Sequence, residues 1–149
     1  LAWPLGRLWR LMTGRRNRAQ RCLRLTGFEF EEYMAQVLRD NGFRHVEVTV
    51  ECGDQGVDIL AVRGGKTYAI QCKNYAGAVG NAAVQEAYAG AEYYGCDVPA
   101  VVCPTMFTAS ARELAESTGV ELWDGERLSH MMRVSGRRPH HDPRRDDEL

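Results

Sequence analysis

Apolar and polar positions follow two different periods along this chain, and the switches between them mark its elements. Phe30, Met34, Val37 and Leu38 recur three and four residues apart, the spacing of one helix face, so residues 28–41 read as an amphipathic helix stopped by Asn41-Gly42. Val46, Val48 and Val50 then alternate with polar residues, which predicts a strand over 43–51. Two apolar runs, 57–62 and 67–72, flank Gly64-Gly65 and read as a β-hairpin closed by a two-residue primed turn. A small-residue loop over 74–80 leads to Asn81, a good N-cap for a helix that ends near Gly95, with Val84, Ala87, Tyr88 and Ala91 as its apolar face. The continuous apolar run 98–103 has the look of a strand buried on both faces. A helix follows from Thr108 to about Thr118, with Ser110 and Glu113 at capping-box spacing; 120–123 is a short strand and 124–132 a last helix. The order α-β-β-β-α-β-α-β-α predicts an α/β fold, a mixed central sheet flanked by helices.

The hairpin in GDQGVDILAVRGGKTYAIQCK organises the rest. With Gly64 and Gly65 as the loop, Arg63 faces Lys66, Leu60 faces Ala69 and Asp58 faces Gln71. Opposed residues of an antiparallel pair project from one side with Cβ atoms about 5 Å apart, and Lys73, two beyond Gln71, projects from that side too. A carboxylate, an amide and an ammonium thus converge at the open end of two otherwise apolar strands. The same residues also fit an ordinary surface pair at a hairpin edge, worth about 0–1 kcal/mol, and spacing alone does not choose. Glu31 lies beside the apolar stripe of the first helix, either as a solvated residue or leaning over the sheet toward Asp58. Glu29 and Glu32 suit the positive end of that helix and need no other role. Asp54 and Gln85 are candidates for supporting positions, although Gln85 is equally well explained as solvated.

At 149 residues the chain is long enough for one domain with a real core, and its net charge of −1 says nothing about a nucleic-acid partner. The distribution of charge says more: residues 1–24 hold seven Arg and no acid. The leader LAWPLGRLWRLM is apolar and carries Trp3 and Trp9, but a spanning helix needs about 20 apolar residues. The preferred reading of this leader is a surface helix or an unstructured arm; the other is contact with a membrane from the cytoplasmic side. Five cysteines without a C-x-x-C, most of them inside strand-like runs, fit a reducing compartment, and the four histidines share no ligand spacing with them, which argues against zinc. Residues 133–149 have almost no apolar side chains and predict a disordered charged tail after a globular part over 25–132.

Gly-x-x-Phe-Glu on a first helix, Gly-Asp-x-Gly-Val-Asp at a strand start and Gln-x-Lys on the next strand, in that order, resemble the catalytic domain of Mrr-type restriction endonucleases, within the PD-(D/E)xK nuclease superfamily. VGNAAVQEAYAGAEYYG and FTASARELAESTGVELWDGERL resemble the family's downstream helices and strand. The resemblance covers roughly residues 25–128.

It implies a restriction-endonuclease-like core and a Mg2+- or Mn2+-dependent endonuclease that hydrolyses DNA phosphodiesters in restriction of foreign or modified DNA. It places Asp58 on the metal-binding Asp, Gln71 where most relatives carry Glu or Asp, Lys73 on the catalytic Lys and Glu31 on the acidic residue of the first helix. Gln71 is usual in the Mrr branch, yet costs the site one negative charge. Cys103 stands where relatives often carry Thr. A hard cation needs oxygen donors, here Asp58, the Gln71 amide, Glu31 and the backbone carbonyl of Cys72, while Lys73 orients or deprotonates water or stabilises developing charge. Arg44, Arg63, Lys66 and the N-terminal arginines are available for phosphates. The resemblance implies a cytoplasmic location and is compatible with a homodimer. Two other readings share the fold: a DNA-binding module without catalysis, and a structure-specific repair or junction nuclease.

Overall fold

The structure, a computed structural model, describes residues 18–49 and 56–148. The leader up to residue 17, Val50, Cys52 and Asp54 lie outside the described residues. A 3-10 turn, Arg21–Arg24, precedes helix α1 (Gly27–Asp40), strands β1 (Arg44–Val48), β2 (Ile59–Arg63) and β3 (Lys66–Cys72), helix α2 (Asn81–Tyr94), strand β4 (Val98–Val102), helix α3 (Ala109–Thr118), strand β5 (Glu121–Trp123) and helix α4 (Gly125–Ser135). The sheet order is β1-β2-β3-β4-β5, antiparallel through β3 and parallel from β3 to β5. This is the mixed α/β fold that the two periods predict.

Two helix layers cover the sheet. Phe30, Met34, Val37 and Leu38 of α1 and Leu128, Met131 and Met132 of α4 pack on Ile59, Ile70, Ala100, Val102 and Trp123. On the other face Val84 and Ala87 of α2 and Ala111 and Ala115 of α3 pack on Val101 and Cys103, and Ala91 of α2 packs with Val57 and Ala69. Both faces of β4 are therefore buried, as its unbroken apolar run requires. No described helix is long and apolar enough to cross a membrane.

Local signals fix the ends of the helices. Thr26 and Glu29 form a capping box at the start of α1, each side chain taking the other's backbone N–H, and Asn41 closes the helix. For α2 the cap is Gly80 rather than Asn81, whose amide donates instead to Ser110 Oγ. For α3 the cap is Thr108, which accepts from the Ala111 amide, so the Ser110–Glu113 spacing is not used. Tyr88 is 44% exposed; Ala83 and Gly90 take its place on the buried stripe of α2.

The hairpin register is the one that the two-glycine loop dictates: Arg63↔Lys66, Leu60↔Ala69, Ile59↔Ile70. Gly64 and Gly65 have φ of +58° and +75°, the type I′ requirement. Edge strand β1 carries a bulge between Arg44 and Glu47 with His45 at φ +51°, a device that twists a sheet edge away from further pairing.

The chain beyond Met132 departs from its composition. Helix α4 continues to Ser135, and residues 137–146 form a strap along α1. Tyr33 Oη donates to the Arg137 carbonyl at 2.9 Å, Glu29 accepts from the Asp142 amide and pairs with His141, and Arg145 pairs with Glu32. Glu29 and Glu32 thus have a role beyond the helix dipole. A strap with no apolar side chains is held because carboxylates of α1 satisfy its donors.

Candidate active site

Asp58 sits one residue before β2. Its amide donates to the Ile70 carbonyl at 2.9 Å, and its Oδ2 accepts from the Cys72 amide at 2.7 Å. A side-chain oxygen thus takes the place of a main-chain acceptor where β2 and β3 part, and the backbone of β3 fixes the carboxylate. The break opens a cleft of about 310 Å³ lined by Glu31, Gly56, Asp58, Gln71, Cys72, Lys73 and Glu86 among others.

Helix α1 brings Glu31 into this cleft. Burial, the charge of Asp58 and a hydrogen bond to Asp58 push its carboxyl up to about 7. A hydrogen bond between two carboxyl groups needs a proton, and here Glu31 carries it.

From the opposite helix layer comes Glu86. Gln71 is 4% exposed, and its Nε2 donates to Glu86 Oε2 at 2.5 Å. Lys73 Nζ donates to the same oxygen at 3.2 Å and lies 5.6 Å from the Tyr75 ring centroid. Burial works to lower the Lys73 pKa, but the hydrogen bond and charge of Glu86, then Tyr75, outweigh it and leave it raised. Burial likewise raises Glu86, and the donors Gln71 and Lys73 with the lysine charge outweigh it and leave it lowered. Gln71 Oε1, in contrast, is buried with no hydrogen-bond partner. Its orientation is chemically determined: ionised Glu86 only accepts, so the amide NH2 faces Glu86 and the carbonyl oxygen faces away.

The loop that delivers Asp58 is pressed on α2 at the same place. A Cβ on Gly56 would lie 2.9 Å from the Glu86 carbonyl oxygen, and Gly56 has φ +69°, so only glycine fits.

Asp58, Gln71, Cys72, Lys73 and Glu31 therefore share one cleft, and Glu31 leans to Asp58. Gln85 does not belong to it: it is exposed, and its neighbour Glu86 takes the position. A helix turns about 100° per residue, and Glu86, three after Ala83 and four before Gly90, flanks the buried small-residue stripe. That spacing, an acid inside a run of small residues, was the available signal. Asp54 lies outside the described residues. Arg44, Arg63 and Lys66 sit at the closed end of the hairpin, about 17 Å of strand from Asp58, because the tight turn that sets the register also sends them away from the cleft. A larger opening of about 720 Å³ lies between α1 and the strap, but its Glu29, Glu32, Arg137 and Arg145 are already engaged in ion pairs.

A family model described as restriction endonuclease, of the Mrr catalytic-domain type, matches residues 22–132. Among solved structures the fold is similar to "Protein of Unknown Function AF1548" (TM-score 0.64, 23% identity, covering 74% of this chain and 67% of that one). It is also similar to "DNA modification-dependent restriction endonuclease AspBHI" (TM-score 0.63, 17% identity, covering 83% of this chain and 36% of that one). No curated protein matches the sequence. A model spanning most of the chain, on a fold shared with a restriction endonuclease, places this protein in the Mrr-type restriction endonuclease family, as a nuclease domain.

Proposed function

We propose that the chain is a divalent-metal-dependent DNA endonuclease that cuts foreign or modified DNA, with Mg2+ or Mn2+ held by Asp58, Glu31, the Gln71 amide oxygen and the Cys72 backbone carbonyl. The observation that carries this reading is Gln71 Oε1, a buried carbonyl oxygen without a partner, turned away from Glu86 in the cleft of Asp58 and Glu31. An unsatisfied buried polar atom costs about 1–3 kcal/mol, and a ligand that it serves offsets that cost. Among the described residues no three His, Cys, Asp or Glu side chains are grouped for a metal. The proposed donor set is mixed, two carboxyls and two carbonyls, all hard oxygen, the kind of set that suits Mg2+.

When bound, the metal supplies charge neutralisation at the scissile phosphate and a more acidic attacking water. Asp58, fixed by the Cys72 amide, needs no reorganisation to serve as a ligand. Glu31 releases its proton to become the second anionic donor. Lys73 is a charged ammonium at neutral pH because Glu86 and Tyr75 raise its pKa, so it acts as a cation on the phosphate and its developing charge rather than as a base. Glu86 holds both Lys73 and Gln71 in place through one oxygen.

Cleavage of supercoiled, linear, junction and methylated DNA with Mg2+, Mn2+ or chelator tests the reading. Methylated DNA comes first, because the structurally similar AspBHI is described as modification-dependent. Cleavage that requires added metal is the expected result. Robust cutting in excess EDTA would overturn the mechanism, and a folded protein that binds DNA but cuts no form with either metal would leave a DNA-binding module.

A further inference from the structure

The acidic cleft has a basic neighbour. A cavity of about 520 Å³ is lined by Arg21, Arg24, Leu25, Arg138, Pro139, His140 and His141, and Leu25 also lines the cleft. Both walls are tied down. On one side, Asn74, the residue after Lys73, donates to the carbonyls of Cys22 and Leu25 at 2.9 and 3.0 Å, so the turn that carries Arg21 and Arg24 is pinned beside the site. On the other side, the Tyr33 bond to the Arg137 carbonyl and the Glu29 bonds to His141 and the Asp142 amide hold the strap just before and just after Arg138-Pro139-His140.

The charges are sorted. Arg137, Arg144 and Arg145 of the strap are each paired with a carboxylate, Asp40, Asp142 and Glu32. Arg21, Arg24 and Arg138 have no acidic partner among the described residues, and all three are exposed. The acids nearest the cavity already hold partners: Glu29 with His141, Asp142 with Arg144, Asp146 with His141. Three guanidinium groups without acidic partners among the described residues, on two anchored walls, form a ready site for a polyanion whose paired oxygens fit a guanidinium fork.

We propose that Arg21, Arg24, Arg138 and His140 form a phosphate cradle that continues the cleft and grips the DNA backbone flanking the scissile bond. The C-terminal strap is thereby part of the substrate-binding surface. The idea rests on the nuclease reading for its ligand, and it fits a nucleic-acid backbone better than a point anion because the cavity opens beside the cleft. The contacts are to phosphate alone and carry no base readout.

The test is binding of the full chain to a short duplex in EDTA, where nothing is cut, over a range of salt. Each lost phosphate contact lowers the slope of log affinity against log salt by about 0.9. Arg21→Ala/Arg24→Ala should therefore lower it by about 1.8, and Arg138→Ala by about 0.9, with the same loss for unrelated duplex sequences. Arg21→Lys/Arg24→Lys should retain most of the slope, and Arg44→Ala/Lys66→Ala, at the far end of the hairpin, should leave it unchanged. All these side chains are exposed, and circular dichroism checks that each variant is folded. If the parent binds duplex and the cradle variants keep its slope, the cradle fails while the nuclease reading stands. If the parent binds no duplex in EDTA and none with Ca2+ in place of the cleaving metal, the nuclease reading itself falls and the cradle with it. If the cradle variants lose binding only to phosphatidylserine vesicles and not to DNA, the surface belongs to a membrane and the proposal is overturned.

Discussion

The two ends of one hairpin are built from the same two strands and obey opposite rules. At the closed end the aromatic rings and the polar side chains beside them are used for packing or a local bond. Phe43, Tyr68 and Trp123 pack edge-to-face and tilted, with ring centroids 5.2–6.3 Å apart, and the Arg63 guanidinium lies 5.1 Å over Phe43. Thr67 gives both its amide and its hydroxyl to Asp97. At the open end a carboxyl is pressed against a carboxyl, an amide oxygen is buried without a partner and a lysine is 17% exposed. Desolvating these groups carries a cost that the closed end avoids. Polar groups are crowded at the end of an apolar sheet and held from three directions, by the β3 backbone, by α1 and by α2, and the proposed function gives them a ligand. On the proposed reading, stability lives at one end of the hairpin and chemistry at the other.

The largest expected effect breaks the two ends apart most plainly. Lys73→Ala and Asp58→Ala should each reduce cleavage by roughly a thousandfold or more, the scale of a lost electrostatic or proton-transfer group. Lys66→Ala, on the same strand at the closed end, should leave the rate unchanged. The double variant should be no worse than either single one, because residues that act as a unit are not additive. Cleavage rates on folded protein measure this, and a Lys73→Ala variant at the parental rate would remove Lys73 from the site.

The closed end and the core were legible from the chain alone. A two-glycine loop permits one register, and period 2 then assigns each side chain to a face, so Asp58, Gln71 and Lys73 could be gathered before any coordinates. Glu31, beside a strong helical stripe, stayed open on spacing alone, and the family resemblance singled it out. What stayed hidden depends on tertiary detail. Glu86 and Gln85 differ by one step on a helix whose buried stripe is mostly small residues, so only the spacing of Glu86 from Ala83 and Gly90 distinguishes them, and that is a weak signal. The strap escaped because its order comes not from apolar residues but from three acceptors on α1, Glu29, Glu32 and Asp40, the first two of which local pattern assigns to the helix dipole. Gly80 takes the cap position and Asn81 the first helical one, where its amide donates to Ser110 on another helix.

A smaller effect sharpens the account of the open end. If Glu86 decides which atom of Gln71 faces the cleft, Glu86→Gln frees the Gln71 amide to flip and present NH2 instead of oxygen. Mn2+ affinity, measured by calorimetry without DNA, should fall by about 10–100-fold, the usual cost of losing a residue that orients a metal ligand. Adding Gln71→Glu restores it: Gln at position 86 then donates to a carboxylate, which has an oxygen for either side. Rescue by this swap distinguishes orientation from mere loss of charge. Failure of the double variant to rescue, with its fold intact, would mean that Glu86 acts otherwise than through Gln71.

The smallest effect is on stability, and it has a definite sign. The Glu31 carboxyl titrates near 7 in the fold, above its ordinary 4.5, because burial and Asp58 oppose its charge. A group whose pKa is raised on folding contributes stability that is fully present below its unfolded value and is lost as pH rises through the folded one. The metal-free protein should therefore lose thermal stability as pH rises from about 4.5 to about 7. His141, raised above 6.5 chiefly by Glu29, adds a loss of the same sign at the upper end of that window and beyond it. Glu29, lowered to about 2 first by the Asp142 amide, acts only in acid, where its contribution disappears as pH falls through that value. Glu31→Gln keeps a neutral side chain of nearly the same shape, so it should remove the slope below pH 6.5 and leave the His141 part. Thermal melts at a series of pH values read both. Replacing Lys66 at the closed end should not touch the slope, and a Glu31→Gln melt with the parental pH dependence would show that Glu31 does not carry the proton between the two carboxyls.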